Sequence, residues 1–196
     1  MTPREYLESA LDALGERCLI SQVHYRIWAR FGTTWAKNHH ARNRHPNFWG
    51  WTELAHYNAF ISNLYRLLRP SKRAIHLPHV IAYARKYPEI FNNKNQRAVA
   101  TALDKAEGIL SSNKSLIDNL LNQRDLYFAH LSSDHMQTGF DSVFRQFPAS
   151  HKDLYRLARA IGKAINLIEL PLRNLTHIWL QEKESDTRRF LEELKQ

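Results

Sequence analysis

The longest regular pattern in the chain is a row of apolar residues whose spacings alternate between four and three positions. The row consists of Leu154, Ala158, Ile161, Ile165, Ile168, Leu172, Leu175 and Trp179. Because this spacing places one residue per turn on the same side of an α-helix, it predicts one long amphipathic helix over about 150–181. Pro171 lies inside the row, and its missing backbone donor predicts a kink there.

Shorter stripes of the same kind recur along the chain, and no segment shows the alternation of β-branched residues that marks a strand. Thr2 and Glu5 form a capping box that opens a helix ending near Gly32, and a second stripe predicts a helix over about 52–69. The residues expected to face the core from the first helix are Leu7, Leu11, Leu14 and Cys18. The fold class expected is therefore all-α: an up-and-down helical bundle in a single domain over 1–196, with a long kinked C-terminal helix.

The chain carries a formal net charge of +9, which is large for 196 residues. Such a charge favours polyanionic partners, nucleic acid before acidic membranes, although a merely soluble basic protein is the plain alternative. No run approaches the roughly 20 apolar residues of a spanning helix, so no membrane partner is expected. Charged residues occupy the region where a signal peptide would be apolar, and the expected location is the cytoplasm.

A basic and aromatic stretch at about 33–51 lacks helical periodicity and is expected to be irregular. Cations and aromatic faces together suit single-stranded RNA, so this stretch supplies the first candidate RNA-binding residues: Lys37, Arg42, Arg44 and Trp49. The alternative is a loop whose tryptophans pack under the fold. Lys72 and Arg73, which follow Arg66 and Arg69, form a second basic cluster; most such clusters are simply solvated. No metal site is expected, because the histidines at 39, 40 and 45 lack cysteine partners and zinc-binding spacing.

Arg124 lies on the apolar stripe of a helix that begins near Ser115, where an unpaired guanidinium would cost several kcal/mol to bury. His130 follows after five intervening residues and lies roughly 120° around the helix from Arg124. The two side chains could bind the same small anion if the helix loosens before His130, or if a second copy of the chain supplies one of them. The alternative is structural: an arginine paired with a carboxylate and a histidine bonded to a carbonyl. This helix and the long C-terminal helix are expected to be central neighbours.

The fingerprints of common enzyme classes, including GxGxxG, the P-loop and GxSxG, are absent from the sequence. The arginine and histidine remain, and these residue types suit RNA cleavage without a metal or other cofactor. Histidine transfers protons near neutral pH, and arginine stabilises the anionic transition state through forked hydrogen bonds.

The motif RDLYFAHLSSD at 124–134 resembles the R-x(4–6)-H signature of the HEPN superfamily of helical RNA-cleaving and nucleotide-binding domains. The wider chain resembles the abortive-infection AbiU-like branch, whose second helix is similar to HYNAFISNLYRLLRP at 56–70. The resemblance covers about residues 5–180. It implies a metal-independent endoribonuclease of a phage-defence or toxin–antitoxin system.

Roles for individual residues follow from this resemblance. His130 would be the acid or base, Arg124 would bind the scissile phosphate, and Asp125 would orient Arg124 or the backbone. Tyr127 and Asp134 are supporting candidates. One branch of the superfamily has a modified tyrosine two residues after the histidine, where this chain has Ser132, so that form of silencing is not expected here.

The expected partners are RNA and a second copy of the chain, together with an antitoxin or a nucleotidyltransferase. A homodimer is expected because cleavage needs both a base and an acid, whereas the motif offers one histidine; two site helices across a two-fold axis would supply two. The rival hypotheses are a non-catalytic helical module that binds RNA or a nucleotide, and a dimeric scaffold.

Overall fold

The computed structural model describes residues 1–33, 39–71, 74–91, 96–129 and 141–174, and these contain helices and no strand. The helices, in chain order, are α1 (Pro3–Thr33), α2 (His39–Arg44), α3 (Pro46–Leu68), α4 (Leu77–Lys86), α5 (Gln96–Ser112), α6 (Lys114–Gln123), α7 (Asp141–Gln146) and α8 (His151–Arg173). A short 3-10 turn, Pro88–Ile90, precedes α5, and a π-helical turn, Arg124–Ala129, continues α6. The all-α prediction is confirmed. None of the described helices is both long enough and apolar enough to cross a membrane.

The core forms where α1 packs along α3 and where α8 packs against α5 and α1. Helix α8 is therefore central, as expected. Helix α6 touches α3, α5 and α8 less extensively, so the prediction that it is the central neighbour of α8 is wrong. The physical reason is that α6 is short and buries only Leu120 and Gln123, which leaves it at the margin of the core.

Helix α1 begins as the capping box predicts. The Thr2 backbone N–H donates to Glu5 Oε2 at 2.7 Å, and the Glu5 N–H donates to Thr2 Oγ1 at 3.2 Å. Leu7, Leu11, Leu14 and Cys18 are all buried in the core. Burial raises the pKa of the Cys18 thiol to about 11, against a smaller lowering by the Gln22 side chain, so this thiol stays protonated as a core residue.

Helix α8 buries every member of the predicted stripe that the structure describes, from Leu154 to Leu172. It ends earlier than predicted, because Asn174 adopts the left-handed conformation (φ 56°) and its N–H bonds to the Leu170 carbonyl at 3.0 Å. Pro171 thus lies in the last turn, and the predicted kink is not confirmed. Leu175 and Trp179 lie outside the described residues.

The basic stretch that was expected to be irregular is helical over most of its described residues, as α2 and the first turns of α3. Pro46 stands at the start of α3, where its fixed φ suits the first turn. The apolar periodicity is weak because this corner has its own small core, in which Phe31 packs against Trp49 with partly buried Ile27 beside them. Local packing of large aromatic residues there replaces a continuous stripe.

His76 caps the first turn of α4, where its Nδ1 accepts a hydrogen bond from the His79 backbone N–H at 3.2 Å. Once Nδ1 is protonated it cannot accept this bond. Burial lowers the pKa of His76 below its usual range, and the charge of His79 lowers it further. A backbone hydrogen bond at Ser71 raises this pKa by a smaller amount. Folding therefore favours the neutral ring.

The free energy of unfolding is expected to decrease as the pH falls below about 6.5, the ordinary histidine pKa. Between that pH and the lowered pKa of the folded state, the unfolded chain binds more protons than the folded chain. Acid therefore favours unfolding. Burial also lowers the pKa of His24 and His56, whose Nδ1 atoms lie 2.8 Å apart, and they act in the same direction. Urea unfolding of the wild type and His76→Asn at several pH values tests this, because asparagine keeps a capping acceptor without titrating. Equal losses of stability in the two proteins would contradict a role for His76.

Candidate functional site

The helix that carries Arg124 changes its geometry at that residue. Helix α6 ends at Gln123, and Arg124–Ala129 forms a π-helical turn in which the Arg124 N–H points to the carbonyls of both Leu120 and Leu121. π-Helices are rare in proteins, and the single π-helical turns that do occur are often found at functional sites. The regular α-helix therefore ends at Gln123, before His130. His130 and Asp134 themselves lie outside the described residues, as does the side chain of Tyr127.

Asp125 Oδ1 accepts three hydrogen bonds from two parts of the chain. The donors are Tyr65 Oη at 2.7 Å, Arg69 Nη1 at 3.0 Å and Arg124 Nη1 at 3.1 Å. We refer to Tyr65, Arg69, Arg124 and Asp125 as the two-arginine cluster. The stripe position of Arg124 is thereby explained: its guanidinium lies against α3 and is paired with a carboxylate.

Both guanidinium groups also lie over the Tyr65 ring. The Arg124 Cζ is 4.3 Å from the ring centroid and the Arg69 Cζ is 5.1 Å from it, distances at which cation–π attraction is effective. Tyr65 is only 5% exposed, whereas the Arg124 and Arg69 side chains are 29% and 49% exposed. Two partly exposed guanidinium groups therefore lie over one buried aromatic ring.

Arg69 reaches this position because Pro70 ends α3 immediately after it. A proline disfavours helical geometry in the residue before it, and Arg69 is extended (φ −69°, ψ 121°). Its backbone N–H still bonds to the Tyr65 carbonyl at 2.9 Å. Tyr65 and Arg69 are thus held on the same side of the helix end, facing the π-helical turn.

The cluster carries a surplus of positive charge, since two guanidiniums share one carboxylate. Arginine remains charged at any accessible pH and presents five N–H donors in a planar fork. One donor of each arginine is used on Asp125. The arrangement can therefore bind an anion, phosphate above all, at a surface that is half open to solvent.

The sequence identified Arg124 and Asp125 but not Tyr65, and Arg69 only as part of a basic run. Tyr65 and Arg69 stand 60 and 56 positions before Asp125, so no local pattern links them to it. The available signal was their spacing of four residues directly before Pro70, which places both side chains at one helix end.

Two of the candidate RNA-binding residues have structural roles instead. Arg42 is buried, and it donates to the Phe31 carbonyl at 3.2 Å and to the Glu53 carboxylate. Trp49 is buried against Phe31. Neither side chain is accessible to an RNA base, so the prediction is corrected for these two residues. The Arg42 guanidinium joins α2 to α3, and Trp49 fills the small core.

Two aromatic residues that lie close to Trp49 in the sequence of α3 are exposed to solvent. Phe48 is 60% exposed and Trp51 is 70% exposed, three positions apart on the first turns of α3, and Arg44 is exposed at the end of α2. Lys37, Lys72 and Arg73 lie outside the described residues. The described parts of the chain bring together no group of three or more His, Cys, Asp or Glu side chains that could hold a metal ion.

Comparison with known proteins gives one result. No curated protein and no solved structure matches the chain significantly. A family model described as AbiU2, of the HEPN type, matches residues 5–190 and thereby confirms the resemblance drawn from the Arg124–His130 motif. The chain belongs to the AbiU2 family of abortive-infection HEPN domains.

Proposed function

We propose that this protein is a metal-independent endoribonuclease that acts in phage defence or in a toxin–antitoxin pair. The observation that carries the proposal is the placement of Arg124: it stands at a π-helical turn, is anchored by Asp125 and Tyr65, and remains partly exposed in a cluster of net positive charge. A guanidinium held in this way is prepared for a phosphate group, because little of its conformational freedom remains to be lost on binding. Membership of the AbiU2 family supports the same function.

In the proposed reaction, a base removes the proton of the RNA 2′-hydroxyl, and the 2′-oxygen attacks the adjacent phosphorus. The bond from phosphorus to the 5′-oxygen breaks, and an acid gives that oxygen a proton. The products are a 2′,3′-cyclic phosphate and a free 5′-hydroxyl. His130 serves as acid or base, and Arg124 stabilises the charge that develops on the phosphoryl oxygens.

The proposed unit is a homodimer with a composite site. Each chain contributes one His130, whereas the reaction requires proton transfer on both sides of the phosphorus. Two copies of the π-helical turn across a two-fold axis would bring two His130 and two Arg124 into one cleft. An antitoxin encoded with this protein would regulate it.

The test is whether the purified protein cleaves a mixed RNA in the presence of EDTA. Cleavage that yields 2′,3′-cyclic phosphate ends is expected, because no step requires a metal ion. A parallel preparation of Arg124→Ala, purified identically, controls for contaminating nucleases. Absence of cleavage by the wild type, or equal cleavage by the two preparations, would contradict the proposal.

A second candidate is a non-catalytic module that binds single-stranded RNA. The exposed Phe48 and Trp51, with Arg44 nearby, favour it, because aromatic faces stack bases and cations bind the backbone. Such a module would bind RNA with an affinity that falls steeply with salt, since bound cations release condensed counterions, and it would leave the RNA intact.

A further inference from the structure

We infer that Arg69 and Arg124 together form a phosphodiester-binding site whose inner position is occupied by the Asp125 carboxylate. Asp125 then acts as a built-in competitor that an RNA phosphate displaces from Arg69. The inference rests on the proposed function only in naming RNA as the source of the phosphate. The ligand-binding role of Arg69, and the competing role of Asp125, go beyond the motif that identifies the family.

The contacts of Asp125 are of a kind that another anion can replace. All three donors converge on Oδ1, so neither arginine makes the two-bond fork that is the strongest pairing of a guanidinium with an oxyanion. The Arg69 and Asp125 side chains are 49% and 34% exposed, and ion pairs at that exposure are weak. A phosphate group can accept forked bonds from both arginines.

Arg69 differs from an ordinary surface arginine in how it is held. Pro70 sets its backbone, and the Tyr65 ring supports its guanidinium at 5.1 Å. The Arg85 network between α4 and α5 shows the contrast. There, one arginine binds both Asp104 and Glu107 at 2.7 Å, so carboxylates outnumber cations and no positive charge remains for a ligand.

The balance of charge predicts opposite effects for two substitutions. Asp125→Asn removes the competing negative charge and leaves two cations, so it should tighten phosphate binding about fivefold, the factor for one unit charge about 4 Å away in water. Arg69→Gln should weaken binding by at least a similar factor. Arg69→Lys keeps the charge but loses the fork, and should fall between the wild type and Arg69→Gln.

The experiment measures binding of two probes by titration calorimetry: inorganic phosphate, and an all-deoxy oligonucleotide without terminal phosphates. The deoxy strand lacks the 2′-hydroxyl and cannot be cleaved, so binding is read without catalysis. Arg85→Gln is the matched control, because it removes an arginine of similar exposure from a network that has no surplus positive charge, and it should bind like the wild type. Circular dichroism and thermal unfolding establish that each variant is folded.

The inference is overturned if Arg69→Gln binds the deoxy strand as the wild type does, or if Asp125→Asn fails to tighten binding while folded. Binding of inorganic phosphate alone would overturn the phosphodiester assignment. The two proposals fail separately. If the substitutions shift binding as expected but the wild type cleaves no RNA, the phosphate site stands and the ribonuclease does not. If the wild type cleaves RNA but Arg69→Gln changes neither binding nor cleavage, the ribonuclease stands and the role of Arg69 does not.

Discussion

Alanine at His130 or at Arg124 is expected to lower RNA cleavage by at least about 100-fold and to leave a folded dimer. The factor is the typical loss when a proton-transfer group or an anion-stabilising donor is removed. Arg124 is partly exposed and contacts Asp125 and the Tyr65 ring, so its truncation removes no buried apolar side chain and should leave the bundle intact. Single-turnover cleavage of a labelled RNA, with thermal unfolding of each variant, measures both effects.

Arg156→Ala is the matched control for Arg124→Ala. Arg156 is highly exposed on α8 and pairs with Asp153 in its own helix, so its loss should leave cleavage unchanged. A further experiment mixes His130→Ala and Arg124→Ala under subunit exchange and compares cleavage with each variant alone. The composite site is wrong if the protein stays monomeric at every accessible concentration, or if His130→Ala cleaves like the wild type; the binding module would then replace it.

The second large effect concerns stability and lies far from the two-arginine cluster. Glu169 on α8 is fully buried, and its carboxylate accepts a hydrogen bond from Arg173, which also donates to Asp12 on α1. These bonds, the one to Asp12 first, raise the pKa of Arg173, while burial opposes them. The charge of Glu169 is thus tolerated in the core because Arg173 is beside it.

Arg173→Met is expected to lower the free energy of unfolding by about 3–5 kcal/mol, because it leaves Glu169 as a buried charge without this partner. Arg156→Met, which breaks an exposed pair, should cost less than about 1 kcal/mol. Adding Glu169→Gln to Arg173→Met should restore part of the loss. Urea unfolding of the four proteins measures these values.

The deficit of Arg173→Met is measured at neutral pH and compared with that of Arg156→Met. A deficit no larger than that of Arg156→Met at neutral pH would show that the buried pair contributes little.

The helices could be predicted from the sequence because their signals are local. Residues three and four positions apart share a side of a helix, so the stripe from Leu154 to Leu172 is buried as its spacing indicates. The hydrogen bonds between Thr2 and Glu5 span three residues and follow from the capping pattern alone. The family followed from the short motif at Arg124.

The contacts between helices were decided only by the tertiary structure. Phe48, Trp49 and Trp51 belong to one basic, aromatic stretch, and only the packing of Phe31 determines that Trp49 is the buried one. The helix end at Asn174 depends on a left-handed conformation that the apolar stripe does not encode.

The two-arginine cluster shows the same division. The sequence by itself determined that Arg124 lies on an apolar side of its helix and must find an acceptor. The family resemblance already implied that Asp125 orients Arg124, but that the same carboxylate also accepts from Arg69 and Tyr65 depends on how α3 meets the π-helical turn. Periodicity indicates which side of a helix is apolar, but the long-range partners of a charge on that side are set by the packing of segments distant in the chain.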